Sequence, residues 1–246
     1  KKIDEAITIS SIITMSLVKP DKPLYRPSKK YDLVYRIHPV SSVDSIPEDH
    51  RQTILKSEKQ VDGNYITTLR VKSESEKIGR VSEKKEAPEL KYLEETAEVQ
   101  SHHPMIQALA RELSKDSKSK WRLAKDINLW VHLNLKKEMV DTVTAVDALL
   151  ERRGECQSHT FLFTALARAS GVPTRIVNGL VYSQEYDGFL YHAWPEVFVG
   201  EWRAMDPTFG QDRADATHIK LTENSSENPF RMMEFVGKVS IGWSSP

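Results

Sequence analysis

Residues Cys156 to Ser170 are apolar on almost every side, through Phe161, Leu162, Phe163, Ala165, Leu166, Ala167 and Ala169. A helix without a polar face has to be buried, so this segment predicts a central helix that other elements must cover. Its end is well marked. Gly171 can take the left-handed conformation that closes a helix, and Pro173 prevents continuation. Thr174–Tyr182, Tyr191–Val199 and Trp202–Met205 then read as strands, with turns at Asp187-Gly188 and Gly200-Glu201. One buried helix followed by antiparallel strands is an α+β order.

Upstream of that helix the hydrophobic period is also helical. Leu90–Val99, Pro104–Leu113, Trp121–Leu135 and Ala145–Glu151 each predict an amphipathic helix, with Pro104 suited to a first turn. Farther back the period is two. Ile7-Thr8-Ile9, Leu33–Ile37 and Tyr65–Val71 alternate as strands do, and Asp62-Gly63 marks a tight turn before the last of them. Between the two regimes, Lys72–Pro88 mixes charges of both signs with few core-forming residues and reads as a solvated linker. The expected division is a small antiparallel β domain over residues 1–85 and a helix-and-strand domain over residues 86–246.

Composition excludes several functions. Thirty-five Lys plus Arg balance 35 Asp plus Glu, so no net field attracts nucleic acid or an acidic membrane surface. The longest uncharged stretches, Ala6–Val18 and Cys156–Ala167, fall short of the ~18 residues a membrane helix needs, and no span is expected. The chain starts at Lys1 without Met, which fits removal of a leader or anchor. The compartment stays open, with a periplasmic or secreted location slightly favoured over a cytoplasmic one. Oligomeric state leaves no mark in the sequence. Asn224-Ser225-Ser226 matches the glycosylation sequon, a pattern short enough to arise by chance.

The single cysteine, Cys156, forbids an internal disulfide and any zinc site built on several thiolates. A cysteine in an apolar helix is often only a small hydrophobe. Cys156, however, falls at the first turn, where unpaired N–H groups and the helix dipole favour a thiolate. His192 and Asp206 follow on the predicted strands, and a nucleophile, a base and a carboxylate to orient the base are the parts thiol catalysis needs. Their spacing makes a geometric demand. A two-residue turn at Gly200-Glu201 would put His192 and Asp206 on opposite faces, so a bulge or an odd-length loop must intervene.

Four separated blocks resemble the transglutaminase-like superfamily in order and spacing. They are Arg153-Gly154-Glu155-Cys156-Gln157-Ser158-His159, then Ala165–Arg175, then His192-Ala193-Trp194-Pro195-Glu196-Val197, then Trp202 with Asp206-Pro207-Thr208. The resemblance covers roughly Ala145–Leu221 and implies a papain-like fold with Cys156 as nucleophile, His192 as general base and acid, and Asp206 orienting the imidazole. Relatives that strip glycans from peptides carry a cysteine-based zinc site, which one Cys cannot build. The long animal cross-linking enzymes carry calcium sites, and no Asp-x-Asp-x-Asp-Gly loop is present. The chain is more similar to bacterial cysteine protease-like members of the superfamily, some of which also place a β domain before the core.

The expected function is a thiol-dependent amide hydrolase or acyltransferase, in the first instance a cysteine protease, acting on peptide or protein substrates without a cofactor or metal. The rival is a catalytically idle papain-like module whose β domain makes partner contacts. The Cys156 N–H is the natural first oxyanion donor, with Trp130 and Gln157 weighed as the second. His159 stands one turn from Cys156 but finds no third ligand by spacing. His102-His103 read as capping or solvating the helix that follows, His218 as structural bracing rather than catalysis, and Trp194 and Trp202, flanking the predicted hairpin, as core packing ahead of an aromatic wall beside a cleft. Ser158 lacks a Gly-x-Ser-x-Gly context.

Overall fold

The computed structural model describes residues 17–27, 30–42, 46–76, 90–140, 144–223 and 235–246. Ile7-Thr8-Ile9, the sequon at Asn224 and most of the charged segment after Glu76 lie outside these residues. The architecture is mixed α+β. Antiparallel strands β1 (Asp32–Val40), β2 (Gln52–Lys59) and β3 (Tyr65–Lys72) precede helices α1 (Pro104–Ser114) and α2 (Lys120–Asn134). The short strand β4 (Lys136–Lys137), α3 (Ala145–Glu151) and the short strand β5 (Arg153–Gly154) lead into α4 (Cys156–Ala169). The chain then forms β6 (Thr174–Ser183), β7 (Gly188–Phe198), β8 (Trp202–Ala204), β9 (Ile219–Glu223) and β10 (Ser240–Ser244). Two four-stranded sheets have the orders β10-β1-β3-β2 and β8-β7-β6-β9.

By contacts the chain divides into two compact units. One comprises Lys1–Ser73, Asn178–His192 and Asp215–Pro246, and the other Glu74–Val177 and Ala193–Ala214. In the first unit, alternation in β1 sends Leu33, Tyr35 and Ile37 inward, where Leu69 and Val71 of β3 and Ile219 and Leu221 of β9 join them in one apolar cluster. Tyr35 and Phe189 meet edge to face with ring centroids 5.7 Å apart. β10 pairs with β1, Ile37 facing Ile241, so the far end of the chain completes this sheet.

In the second unit α4 is the hub, as its composition requires. Leu162, Phe163, Ala165, Leu166 and Ala167 are fully buried among Ile106 and Ala110 of α1, Ile127 and Val131 of α2, and Ala148 and Leu149 of α3. The helix starts follow local chemistry. His103, Ser119 and Thr144 each place a side-chain acceptor on a first-turn N–H, of Met105, Arg122 and Asp147 respectively. Gly171, at φ +72°, takes the left-handed conformation expected after α4.

Two expectations are corrected. Leu90–Val99 is not an α-helix: only a 3-10 turn forms over Leu90–Leu93, and it buries no residue. The Thr96 hydroxyl accepts from Val99 N at 3.1 Å and donates to Glu98 at 2.9 Å, a local turn that competes with helical bonding. Nor is the whole of the charged segment solvated. Glu74 is buried against the equally buried Arg203, whose Nη1 lies 2.9 Å from its carboxylate, a partner too distant in sequence to foresee.

Candidate active site

Cys156 is the first residue of α4, half-buried and not in a disulfide. Glu155, at the cap position, makes no side-chain capping bond. The adjoining turn is pinned instead by His159, whose backbone N–H and ring Nδ1 both meet the Glu155 carbonyl, at 3.1 and 2.9 Å. Burial pushes the His159 imidazole below its ordinary value, against partial compensation by the Glu155 and Leu135 carbonyls. Chelation of a metal by Cys156 and His159 through Nδ1 would break the Glu155 contact. One turn along the same helix face, Thr160 Oγ1 donates to the Ala193 carbonyl at 3.0 Å, which fixes the β7 backbone next to His192.

His192 is buried in β7 and closes the run of that strand that goes with the first unit, whereas Cys156 and Asp206 lie in the second. The hairpin after it meets the demand set by spacing. Phe198 pairs with Trp202, Val197 with Arg203 and Glu196 with Ala204, so the loop is the three residues Val199-Gly200-Glu201. Gly200 carries φ +97° in that loop, a conformation open to glycine. Met205 N continues the ladder by donating to the Pro195 carbonyl at 3.1 Å. In this register Asp206 has the parity of Trp194 and hence, along β7, of His192.

Asp206 is fully buried and held in a closed turn. Its backbone exchanges two hydrogen bonds with Gln211, both 2.8 Å, and its Oδ1 accepts from Thr208 N at 2.8 Å and Phe209 N at 3.2 Å. Gly210 completes the turn at φ +65°, where a Cβ would stand 2.7 Å from the His132 ring; His132 Nδ1 in turn lies 3.2 Å from the Pro207 carbonyl. His132 is a support for this loop that the sequence reading did not single out, and its only signal there is its place on the core-facing run of α2.

Other candidates resolve into packing. Trp194 is fully buried with Val177, Ala204 and Ala214. Trp202 is half-buried, with the Arg175 guanidinium 4.5 Å from its ring centre and Tyr92 against its edge. Trp130 packs beside the core under Arg152, 4.7 Å away, and Gln157 is exposed. Among the described residues no helix is long and apolar enough to cross a membrane.

Residues 107–207 match the family model described as the transglutaminase-like superfamily, a span that includes Cys156, His192 and Asp206. Comparison with curated proteins gives no match. Among solved structures, a "Putative Cysteine Protease" from Cytophaga hutchinsonii is 18% identical with a TM-score of 0.55, over 88% of this chain and 83% of that one. The periplasmic domain of TgpA from Pseudomonas aeruginosa is 16% identical, with a TM-score of 0.47 over 73% of each chain. Red sea bream transglutaminase is 11% identical, with a TM-score of 0.40 over 78% of this chain and 49% of that one. The α+β order, the helix hub and the matched segment together give one conclusion: the chain has the transglutaminase-like superfamily fold, and residues 107–207 match that superfamily's model.

Proposed function

We propose that the protein is a thiol-dependent amide hydrolase or acyltransferase acting on peptide or protein substrates, with Cys156 as nucleophile, His192 as base and acid, and Asp206 as the carboxylate that orients the imidazole. The fold itself gives hydrolase or acyltransferase potential at the level of the superfamily. The finer reading rests above all on Cys156, the sole thiol of the chain, standing first in the buried helix of the matched segment.

The helix N-terminus and His192 favour Cys156 as thiolate, which attacks the carbonyl carbon of an amide. The carbonyl π pair moves onto oxygen, where the Cys156 N–H is the first oxyanion donor. Collapse of that adduct breaks the C–N bond, and His192 passes its proton to the departing amine. The thioester that remains is then released by water or by an incoming amine, which His192 deprotonates as it attacks. Asp206, accepting two backbone N–H bonds on one oxygen, is a fixed carboxylate suited to holding one imidazole tautomer.

Iodoacetamide tests the first step. Cys156 of the folded protein is expected to alkylate quickly near neutral pH, and His192→Ala to slow it at least tenfold; a thiol that labels only after unfolding would overturn the reading. Incubation with a labelled primary amine and a glutamine-rich protein then separates transfer from cleavage.

A further inference from the structure

A second histidine–carboxylate couple lies against the proposed base, within one unit of the molecule. His218 is completely buried, and its ring meets that of His192 edge to face, with centroids 6.1 Å apart at 66°. Its Nδ1 lies 3.1 Å from Asp215 Oδ1. That same oxygen accepts from the Thr217 N–H at 2.9 Å and the Thr217 hydroxyl at 2.5 Å. Burial raises the Asp215 carboxyl, but His218 and then Thr217 outweigh it and hold the group below the usual range. An ionised carboxylate only accepts, so Nδ1 must be the donor, and a neutral His218 carries its proton there and not on Nε2.

A residue kept only to fill space beside His192 would need none of these donors; leucine or phenylalanine would serve. We propose that Asp215 and His218 are a positioning pair for His192, setting its ring orientation and favouring its charged form. The inference rests on the reading of His192 as the base. With His218 neutral the pair carries one negative charge in a desolvated interior, and a negative charge favours the protonated state of a neighbouring imidazole. A resting thiolate needs that imidazolium partner. Charged and titratable groups that bond the turn in this unit include Tyr35, from β1, whose hydroxyl donates to the Ala216 carbonyl, and Arg51, before β2, whose Nη2 donates to the Asp215 carbonyl. Both bond the backbone of the turn, and Thr217 and His218 bond the carboxylate itself.

Long-range proton–nitrogen spectra of histidine-labelled protein read both rings directly. At pH 7, His218 is expected to be neutral with its proton on Nδ1. Asp215→Asn is expected to lower the His192 pKa by about one unit. His218→Gln, which keeps an amide donor for Asp215 and the negative charge, should shift it by much less. An unmoved His192 pKa in folded Asp215→Asn would overturn the proposal. Should that variant not fold, the wild-type spectrum decides: His218 protonated on Nε2, or on both nitrogens, would overturn it equally. These spectra do not depend on Cys156 reacting, so an inert thiol, which sinks the triad, is a different result from a His192 indifferent to Asp215.

Discussion

Asp206 separates a structural carboxylate from a chemical one. Removing it with Asp206→Ala strands the Thr208 and Phe209 N–H groups in a buried turn, at a cost of about 1–3 kcal/mol. Asp206→Asn keeps an oxygen acceptor, so urea denaturation is expected to show less than about 1 kcal/mol of change. Turnover should nevertheless fall on the order of a thousandfold, because an amide no longer holds the imidazole in the needed tautomer. Equal losses of stability and rate in both variants would make Asp206 a turn residue only. Cys156, His192 and Asp206 were singled out as the proposed triad from residue type and order alone. The Asp215–His218 couple was not read as functional, because nothing in the spacing of Asp215 and His218 to His192 along the chain predicts a ring contact between β7 and the residues entering β9.

At the scale of elements, those whose sequence period matches their burial were readable. α1 to α4 fall within a residue or so of their expected spans because each presents an apolar stripe, or for α4 a whole apolar surface, and carries its own start or stop signal. β2 escaped: Gln52-Thr53-Ile54-Leu55-Lys56-Ser57-Glu58-Lys59 is largely exposed, with a register slip between Ile54 and Lys56, and is a strand only because β3 offers a ladder. β10 likewise depends on β1, more than 190 residues earlier. The same non-local logic holds the start of β6 to β7. Arg175 donates two bonds to Glu196, at 2.8 and 2.6 Å, and both side chains are buried. Glu196→Ala leaves a buried guanidinium unpaired and is expected to cost about 3–5 kcal/mol, whereas replacing both by leucine and methionine should cost far less. Chemical denaturation of the single and double variants checks this, and similar losses in both would show that burial rather than pairing sets the cost.

Over the whole molecule, acid is the expected weakness. Asp49 is paired with Lys220 at 2.5 Å, and Asp215 with His218; burial raises both carboxyls, but these partners hold each below its usual value. A carboxylate depressed in the folded state stabilises fully above its unfolded value, about 3.9, and loses that contribution as the pH falls toward the folded one. Melting midpoints should therefore hold between about pH 7 and 5 and drop below about pH 4. Asp49→Asn should lower the midpoint at neutral pH yet flatten the acid fall; an unchanged acid slope would remove Asp49 from the account. The half-buried thiol at the start of α4 also has a practical meaning. Because it is the sole sulfhydryl of 246 residues, any maleimide dye or spin label enters at one known atom without prior mutagenesis. Its emission or line shape then becomes a built-in reporter of what approaches the helix tip.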